Sequence, residues 1–243
     1  MNNTSATVTF ERYENKYLLT GAQYKTLMAA AGGHLAADEY GRETICSLYF
    51  DTEDFRMIRA SLEKPIYKEK LRLRSYGVPT ADSEVFVELK KKYKGIVYKR
   101  RVVMSYREAY NYLIKGVRPV DNSQILREID WAMKFYSPVP IMNISYCRES
   151  FYDKDDRSVR LTLDNEVLWR ADCLGLERGT FGEALLNEGE RLMEIKTAGA
   201  IPLWLCRALD EAGVYPASFS KYGNAYRAFA RSDKRVMEVF RCA

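Results

Sequence analysis

Residues 66–76 read IYKEKLRLRSY, and from Lys68 to Arg74 every second side chain is a cation. In a β-strand alternate residues share one face. Lys68, Lys70, Arg72 and Arg74 therefore stand in one row, with Tyr67, Glu69, Leu71, Leu73 and Ser75 turned the other way. The next segment, SEVFVELKKKY (83–93), sets Glu84, Phe86, Glu88, Lys90 and Lys92 against Val85, Val87 and Leu89. In GIVYKRRVVMS (95–105), Lys99 and Arg101 alternate with Tyr98, Arg100 and Val102. Tyr-Gly and Lys-Gly steps at the turns, with close spacing, predict an antiparallel meander.

The pattern recurs along the chain. FERYENKYLL (10–19) carries Arg12, Glu14 and Lys16 two apart. Later segments repeat it more sparsely: Arg148 in SYCRESF, Arg160 and Asp164 in VRLTLD, and Glu194 and Lys196 in MEIK. Strand by strand, a solvated outer face of an antiparallel sheet accounts for such alternation. Summed over strands, the charged parity holds thirteen cations and five anions, a net +8 in a chain whose total is +5. Basicity is thus concentrated on one surface, and −3 is left for the remainder.

Same-face neighbours lie about 6.7 Å apart along a strand. Two cations at that distance repel by roughly 0.6 kcal/mol in water and roughly 2.5 kcal/mol at an effective dielectric of 20. Open to water such a row is tolerable; enclosed, it requires a polyanion. Repetition over several strands predicts an anion-binding concave sheet or tunnel. Arginine forks and lysine point charges together suit phosphate chains. The acids among the cations have two readings. Glu14, Glu88 and Glu194 relieve repulsion as ion-pair partners, or they hold Mg²⁺ or Mn²⁺ together with phosphate oxygens.

The rest of the chain narrows the fold. Helices are expected at 21–31, 54–62, 106–115, 122–136, 202–213 and 221–232, and further strands at 7–19, 43–52, 141–153, 158–170 and 191–197. Many strands without regular crossover helices predict an α+β fold. No linker or repeat divides the 243 residues, so one domain over 1–243 is expected. No apolar run approaches the roughly 18 residues of a membrane span, and the N-terminus lacks signal-peptide character. Five scattered cysteines without a C-x-x-C pair fit reduced thiols in a cytoplasm. The single histidine, His34 in AAAGGHLAA, is expected in a loop. Its isolation disfavours Ser-His-Asp chemistry and His-rich zinc sites, leaving Lys, Arg, carboxylates and a hard metal ion.

RYENKYLL, SLYFDT, YKEKLRLRSYG, VFVELKKK, VYKRRVVM, SYCRESF, VRLTLD, LMEIKT and FSKYGNAY follow one another in the order of the VTC (vacuolar transporter chaperone) polyphosphate polymerase domain. Over roughly residues 8–230 the chain resembles that domain, one of the triphosphate tunnel metalloenzymes, alongside the CYTH triphosphatases and class IV adenylyl cyclases. The resemblance implies an eight-stranded antiparallel β-barrel, a triphosphate tunnel flanked by helices. It implies transfer of the terminal phosphoryl of ATP onto inorganic polyphosphate, with Mn²⁺ or Mg²⁺ as cofactor.

Matched motif by motif, Lys16, Arg72, Arg74, Lys90, Lys99, Arg101, Arg148 and Arg160 resemble the lumenal phosphate ligands, to which the charged parity adds Arg12 and Lys70. Glu194 resembles the metal-holding carboxylate with Lys196 beside it, and Glu14 and Glu88 are further metal candidates. Ser220 and Lys221 in FSKYG resemble another phosphate contact. Of these, Lys16, Arg72, Arg74, Lys90 and Glu194 are expected to carry the chemistry.

One departure stands out. CYTH hydrolases begin with E-x-E-x-K, whereas the triplet here is Arg12, Glu14, Lys16. Losing one acid weakens a two-carboxylate metal site on that strand and favours the polymerase over a triphosphatase. A non-catalytic polyphosphate binder is a third reading. Nucleic acid is disfavoured, because the charged parity carries few aromatics (mainly Tyr76, Phe86 and Tyr146) on which bases would stack. Partners are therefore ATP and polyphosphate. Fungal relatives carry a phosphate-sensing domain and membrane helices to which nothing here corresponds, so the chain is expected to act in the cytoplasm, alone or recruited by a separate membrane partner.

Overall fold

The computed structural model describes residues 13–94 and 96–232, Tyr40 by its backbone alone. Arg12, at the start of the first charged triplet, lies outside them. Strands β1 (Tyr13–Leu19), β2 (Leu35–Asp51), β3 (Tyr67–Tyr76), β4 (Glu84–Tyr93), β5 (Ile96–Ser105), β6 (Val139–Asp153), β7 (Arg160–Arg170), β8 (Glu183–Ala184) and β9 (Arg191–Thr197) form one sheet. Its order is β1-β9-β7-β6-β2-β3-β4-β5, with the two-residue β8 paired to β7 off this path. The fold is α+β, and eight strands lie along the path, as expected. Among the described residues that path has two ends, β1 and β5, with no ladder joining them.

Six helices are described: α1 (Gly21–Ala31), α2 (Arg56–Leu62), α3 (Tyr106–Leu113), α4 (Gln124–Tyr136), α5 (Leu203–Glu211) and α6 (Lys221–Ser232). Their starts are written locally. Thr20 with Gln23, and Ser105 with Glu108, form capping boxes that satisfy the first amides of α1 and α3. The Ser123 hydroxyl accepts from Leu126 N at the start of α4. Helix α2 is capped from a distance: the buried Asp51 carboxylate accepts from Met57 N at 2.8 Å and Ile58 N at 2.9 Å, and from the Tyr222 hydroxyl at 2.8 Å.

The residues form two compact units. The smaller comprises 13–42, Arg148–Asn165 and Glu188–Phe219; the larger comprises 43–94, 96–147, Glu166–Asn187 and 220–232. Strands β2, β6 and β7 each run from one into the other. In the smaller unit Leu19, Leu161, Met193 and Ile195 pack under α1 and α5, with Leu27 and Leu205 fully buried. Here His34 sits in a turn, as expected, its ring stacked on Trp204 at 4.5 Å.

The larger unit has two cores. Leu71, Leu73, Val85, Val87 and Leu89, the uncharged parity of the meander, pack against Leu113, Leu126 and Ile129 of α3 and α4. Each such side chain contributes roughly 1.5–3 kcal/mol of burial, which holds the parity in place. The second core joins Ile45, Tyr49, Ile144 and Trp169 to Tyr222, Ala225 and Tyr226 of α6.

Candidate functional site

In the larger unit the strand register brings the charged residues abreast. Arg72 pairs with Glu88, which pairs with Arg101; Lys70 pairs with Lys90, which pairs with Lys99. Arg74 lies opposite Phe86, and on the other flank Ser47 and Tyr49 of β2 oppose Arg74 and Arg72. Directly opposed residues share a face, so these side chains form one surface. It is buried at its centre and opens outward: the Glu88 side chain is 1% exposed and that of Arg74 8%, whereas Arg101 is at 31% and Lys99 at 44%.

Glu88 is the hub. Arg72 Nη2 lies 2.6 Å and Nε 2.7 Å from Oε2, while Lys99 Nζ at 2.6 Å and Arg101 Nε at 2.7 Å engage Oε1. Arg74 Nε is 4.0 Å from Oε2. Burial alone would raise the Glu88 pKa, but Arg72, Arg74 and Lys99 outweigh it and hold the carboxylate well below its usual range. Four cations converge on one carboxylate, so the cluster keeps an excess of three positive charges.

Hydroxyls complete this face. Arg72 Nη1 donates to Tyr49 Oη at 3.2 Å, Arg74 Nη2 to Tyr146 Oη at 3.1 Å, and Arg74 Nε to Ser47 Oγ at 3.4 Å. Lys70 Nζ donates to Ser220 Oγ at 3.0 Å, and Lys221 Nζ lies 4.3 Å from the centre of the Tyr146 ring. Burial would raise the Tyr49 pKa, yet Arg72, Arg74 and Lys70 bring it down to about 8. Burial works against the Arg72 charge too, but Tyr49 and Glu88 outweigh it and raise the guanidinium pKa.

In the smaller unit the arrangement differs. Lys16 pairs with Glu194, and Glu194 with Thr162; Glu14 pairs with Lys196, and Lys196 with Arg160. Lys16 Nζ lies 3.3 Å from Glu14 Oε1, and Lys196 Nζ 3.3 Å from Glu194 Oε1. Arg148 forks onto Asp164 at 2.6 and 2.8 Å, and Arg160 lies 3.5 Å from Asp38. Burial would raise the Glu194 pKa, but Lys196, Lys16, a hydrogen bond with Glu14, and Arg148 bring it well below the usual range.

Glu14 and Glu194 are diagonal neighbours on one face of the β1–β9 pair. Two ionised carboxylates so placed repel unless a proton or a cation lies between them, and a hard divalent ion takes one or two carboxylates plus phosphate oxygens. Thr162 Oγ1, buried beside Glu194 in the register, has no hydrogen-bond partner among the described residues. This donor set fits a Mg²⁺ or Mn²⁺ ion that draws its remaining ligands from a phosphate. Among the described residues no group of three or more acidic, His or Cys side chains is placed to hold a metal by itself. Glu88, whose two oxygens are engaged by Arg72, Lys99 and Arg101, is the ion-pair partner.

The larger unit therefore gathers Lys70, Arg72, Arg74, Glu88, Lys90, Lys99, Arg101, Ser220 and Lys221, and the smaller gathers Glu14, Lys16, Arg148, Arg160, Glu194 and Lys196. Tyr49, Ser47 and Thr162 were absent from the expected set. Their uncharged side chains carry no signal of their own; only the register with Arg72, Arg74 and Glu194 reveals them.

Comparison with solved structures gives the fold independent support. A candidate adenylyl cyclase from Hippeastrum, described as having a dominant triphosphatase activity, matches with a TM-score of 0.57 at 15% identity, covering 90% of this chain and 96% of that one. A candidate adenylate cyclase from Bacillus halodurans matches with a TM-score of 0.53 at 16% identity, covering 85% and 92%. Comparison with curated proteins finds no match. The family model of the VTC domain matches residues 11–230. With nearly the whole chain matched and the fold shared with the cyclase-like structures, this protein belongs to the VTC domain family.

Proposed function

We propose that this chain is an ATP-dependent polyphosphate polymerase that transfers a terminal phosphoryl group onto a growing inorganic polyphosphate chain. The observation that carries this reading is the convergence of four cations on the single buried carboxylate of Glu88. One acid cannot neutralise them, and an excess of positive charge, partly buried at Arg72 and Arg74 and open to solvent at Lys99, stands ready for an anion of several charges. A phosphate chain supplies such charges at regular intervals.

Phosphoryl transfer needs no protein nucleophile; it needs positioning and neutralisation of charge. Arg72, Arg74, Lys90, Lys99 and Arg101 bind phosphate oxygens, with Lys70, Ser220 and Lys221 beside them. Glu88 holds the Arg72 and Arg101 forks in place before substrate arrives, so little reorganisation is left for the reaction. Tyr49 and Tyr146 orient the remaining guanidinium donors. In the smaller unit Lys16, Lys196, Arg148 and Arg160 bind phosphate, and Glu194 with Glu14 holds Mg²⁺ or Mn²⁺. When bound, that ion neutralises charge on the transferred group. We place the reaction in the cytoplasm, where ATP is abundant and where Cys46, Cys147, Cys173 and Cys206 remain as free thiols.

The pair of carboxylates Glu14 and Glu194 favours one second reading, hydrolysis of a triphosphate. One experiment separates the two. Purified protein is incubated with ATP and Mn²⁺ or Mg²⁺, and ADP, free phosphate and long-chain polyphosphate are followed together. ADP matched by polymer supports the polymerase. ADP matched by free phosphate replaces it with the hydrolase, and no turnover with retained polyphosphate affinity leaves a binder.

A further inference from the structure

Residues 90–101, KKKYKGIVYKRR, hold seven Lys or Arg and no acid, yet also Tyr93, Ile96, Val97 and Tyr98. These four are exposed, at 40–53% of their surface. The register gathers three of them on the outer face of the meander: Tyr67 pairs with Tyr93, which pairs with Ile96, and in the next row Lys91 pairs with Tyr98. The opposite face at this end carries Lys68 and Lys92, with Val97 across from Lys92. One end of the three-stranded sheet is therefore aromatic on one side and cationic on the other.

Helix α4 extends the aromatic side. Trp131 and Phe135, each 52% exposed, stack at 4.7 Å, and Phe135 meets Tyr136 edge-on at 4.8 Å. The Tyr67 hydroxyl hydrogen-bonds Glu69, and Lys91 and Arg100 of the strands bind Glu128 of α4, which ties the helix patch to the strand patch. Cations rim it: Lys94 Nζ lies 5.5 Å from the Tyr93 ring, and Arg56 lies 5.8 Å from that of Phe135. Two acids here are already engaged, Glu128 by Lys91 and Arg100 and Glu69 by Lys91. Glu63 is exposed next to the equally exposed Lys64.

Contiguous exposed apolar surface of this kind marks an interaction site. Tyr and Trp with a ring of lysines is the composition of a protein edge seated at a lipid headgroup boundary, where rings enter the interface and ammonium groups meet lipid phosphates. We propose that this edge, formed by Tyr67, Tyr93, Ile96, Tyr98, Trp131 and Phe135, docks on an anionic lipid bilayer. A single-stranded nucleic acid is a poorer fit. The Trp131 and Phe135 rings already cover each other's faces, and Ile96 and Val97 offer no ring on which a base can stack.

The test is sedimentation of the full chain with vesicles of phosphatidylcholine alone or with about one-third phosphatidylglycerol. The bound fraction should be at least about tenfold higher on the anionic vesicles and fall with added salt. Emission should shift to the blue on binding, and that shift should vanish in Trp131→Phe. Tyr93→Ser/Ile96→Ser should reduce binding at least about tenfold while thermal stability and ATP turnover stay within error, and Lys94→Glu should weaken it less. Equal binding to both vesicle types, or binding unchanged by the double substitution, would overturn the proposal. So would an edge that instead mediates self-association by light scattering, or that captures a single-stranded oligonucleotide, with no vesicle binding.

Discussion

The two charged surfaces of this protein are built on opposite principles. In the smaller unit acids and bases alternate: Lys16 touches Glu14, Lys196 touches Glu194, and Arg148 is matched by Asp164. In the larger unit one acid serves a crowd, with Arg72, Arg74, Lys99 and Arg101 all turned to Glu88. A balanced face is stable as it stands, and its carboxylates remain available to a cation. An unbalanced face is complete only when an anion joins it.

Glu194→Gln is the strongest way to break the comparison. If the smaller unit's acids hold the metal, the variant should lose on the order of a thousandfold in turnover with Mn²⁺ or Mg²⁺, the scale of losing a major charge stabiliser. Its affinity for tripolyphosphate without metal should stay within about threefold of wild type, measured by calorimetry in chelator. Full activity would reduce Glu194 to an ion-pair partner of Lys196 and erase the contrast between the surfaces.

Glu88→Gln asks whether the larger unit is as unbalanced as it looks. Removing the buried anion leaves its cations uncompensated, and stability should fall by about 3 kcal/mol or more. Tripolyphosphate should then raise the melting temperature of the variant by more than it raises that of wild type, because the ligand now supplies the missing charge. A smaller rise than in wild type would mean that Glu88 shapes the site rather than neutralises it. Next in size is Arg74→Ala, which removes a charged donor that Ser47 and Tyr146 hold in place. A charge-assisted hydrogen bond of about 1.5–3 kcal/mol predicts a dissociation constant for tripolyphosphate raised roughly 10- to 100-fold. An unchanged constant would return this strand's cations to a purely structural role.

How much of this was legible beforehand follows from the range of each signal. The row Lys68 to Arg74 has a period of two, which any sequence displays, and the strand formed with that parity. Helices α1 and α6 were found at their observed limits because a cap, a glycine or an apolar stripe marks them locally. By contrast, LAADEYGR (35–42) has neither alternation nor β-branched residues, yet it is the first half of β2. The ladder it joins, not its own composition, makes it a strand. The carboxylates show the same limit. Glu14, Glu88 and Glu194 look alike in sequence, each an acid on a basic parity. Only the neighbours across the ladder separate the one saturated by guanidinium and ammonium groups from the two that sit diagonally to each other, each opposite a single lysine. Tyr49, flanked by Leu48 and Phe50 in SLYFDT, reads as core until its register with Arg72 is known.

Tyr49 gives the smallest and most discriminating effect. Its pKa is brought down to about 8 in the folded protein, from an ordinary tyrosine value of 10.0. The phenolate is therefore favoured by folding: its contribution to stability is present above pH 10 and is lost as pH falls through about 8. For a phosphate ligand the sign reverses. Below pH 8 the neutral hydroxyl leaves the Arg72 charge undiminished; above it, a phenolate stands among the cations that the ligand needs. Tripolyphosphate affinity should weaken about fivefold between pH 7 and pH 9.5 through this group. Lys99 titrates in the same window, desolvation bringing it down to about 8 against the pull of Glu88, and it weakens binding in the same direction. The diagnostic is therefore the difference between two profiles. In Tyr49→Phe the pH dependence should be shallower than in wild type, with affinity at pH 7 within about twofold. Superimposable profiles would mean that Tyr49 keeps its proton throughout. The excess of charge in the larger unit would then be left untrimmed by any group on its flank.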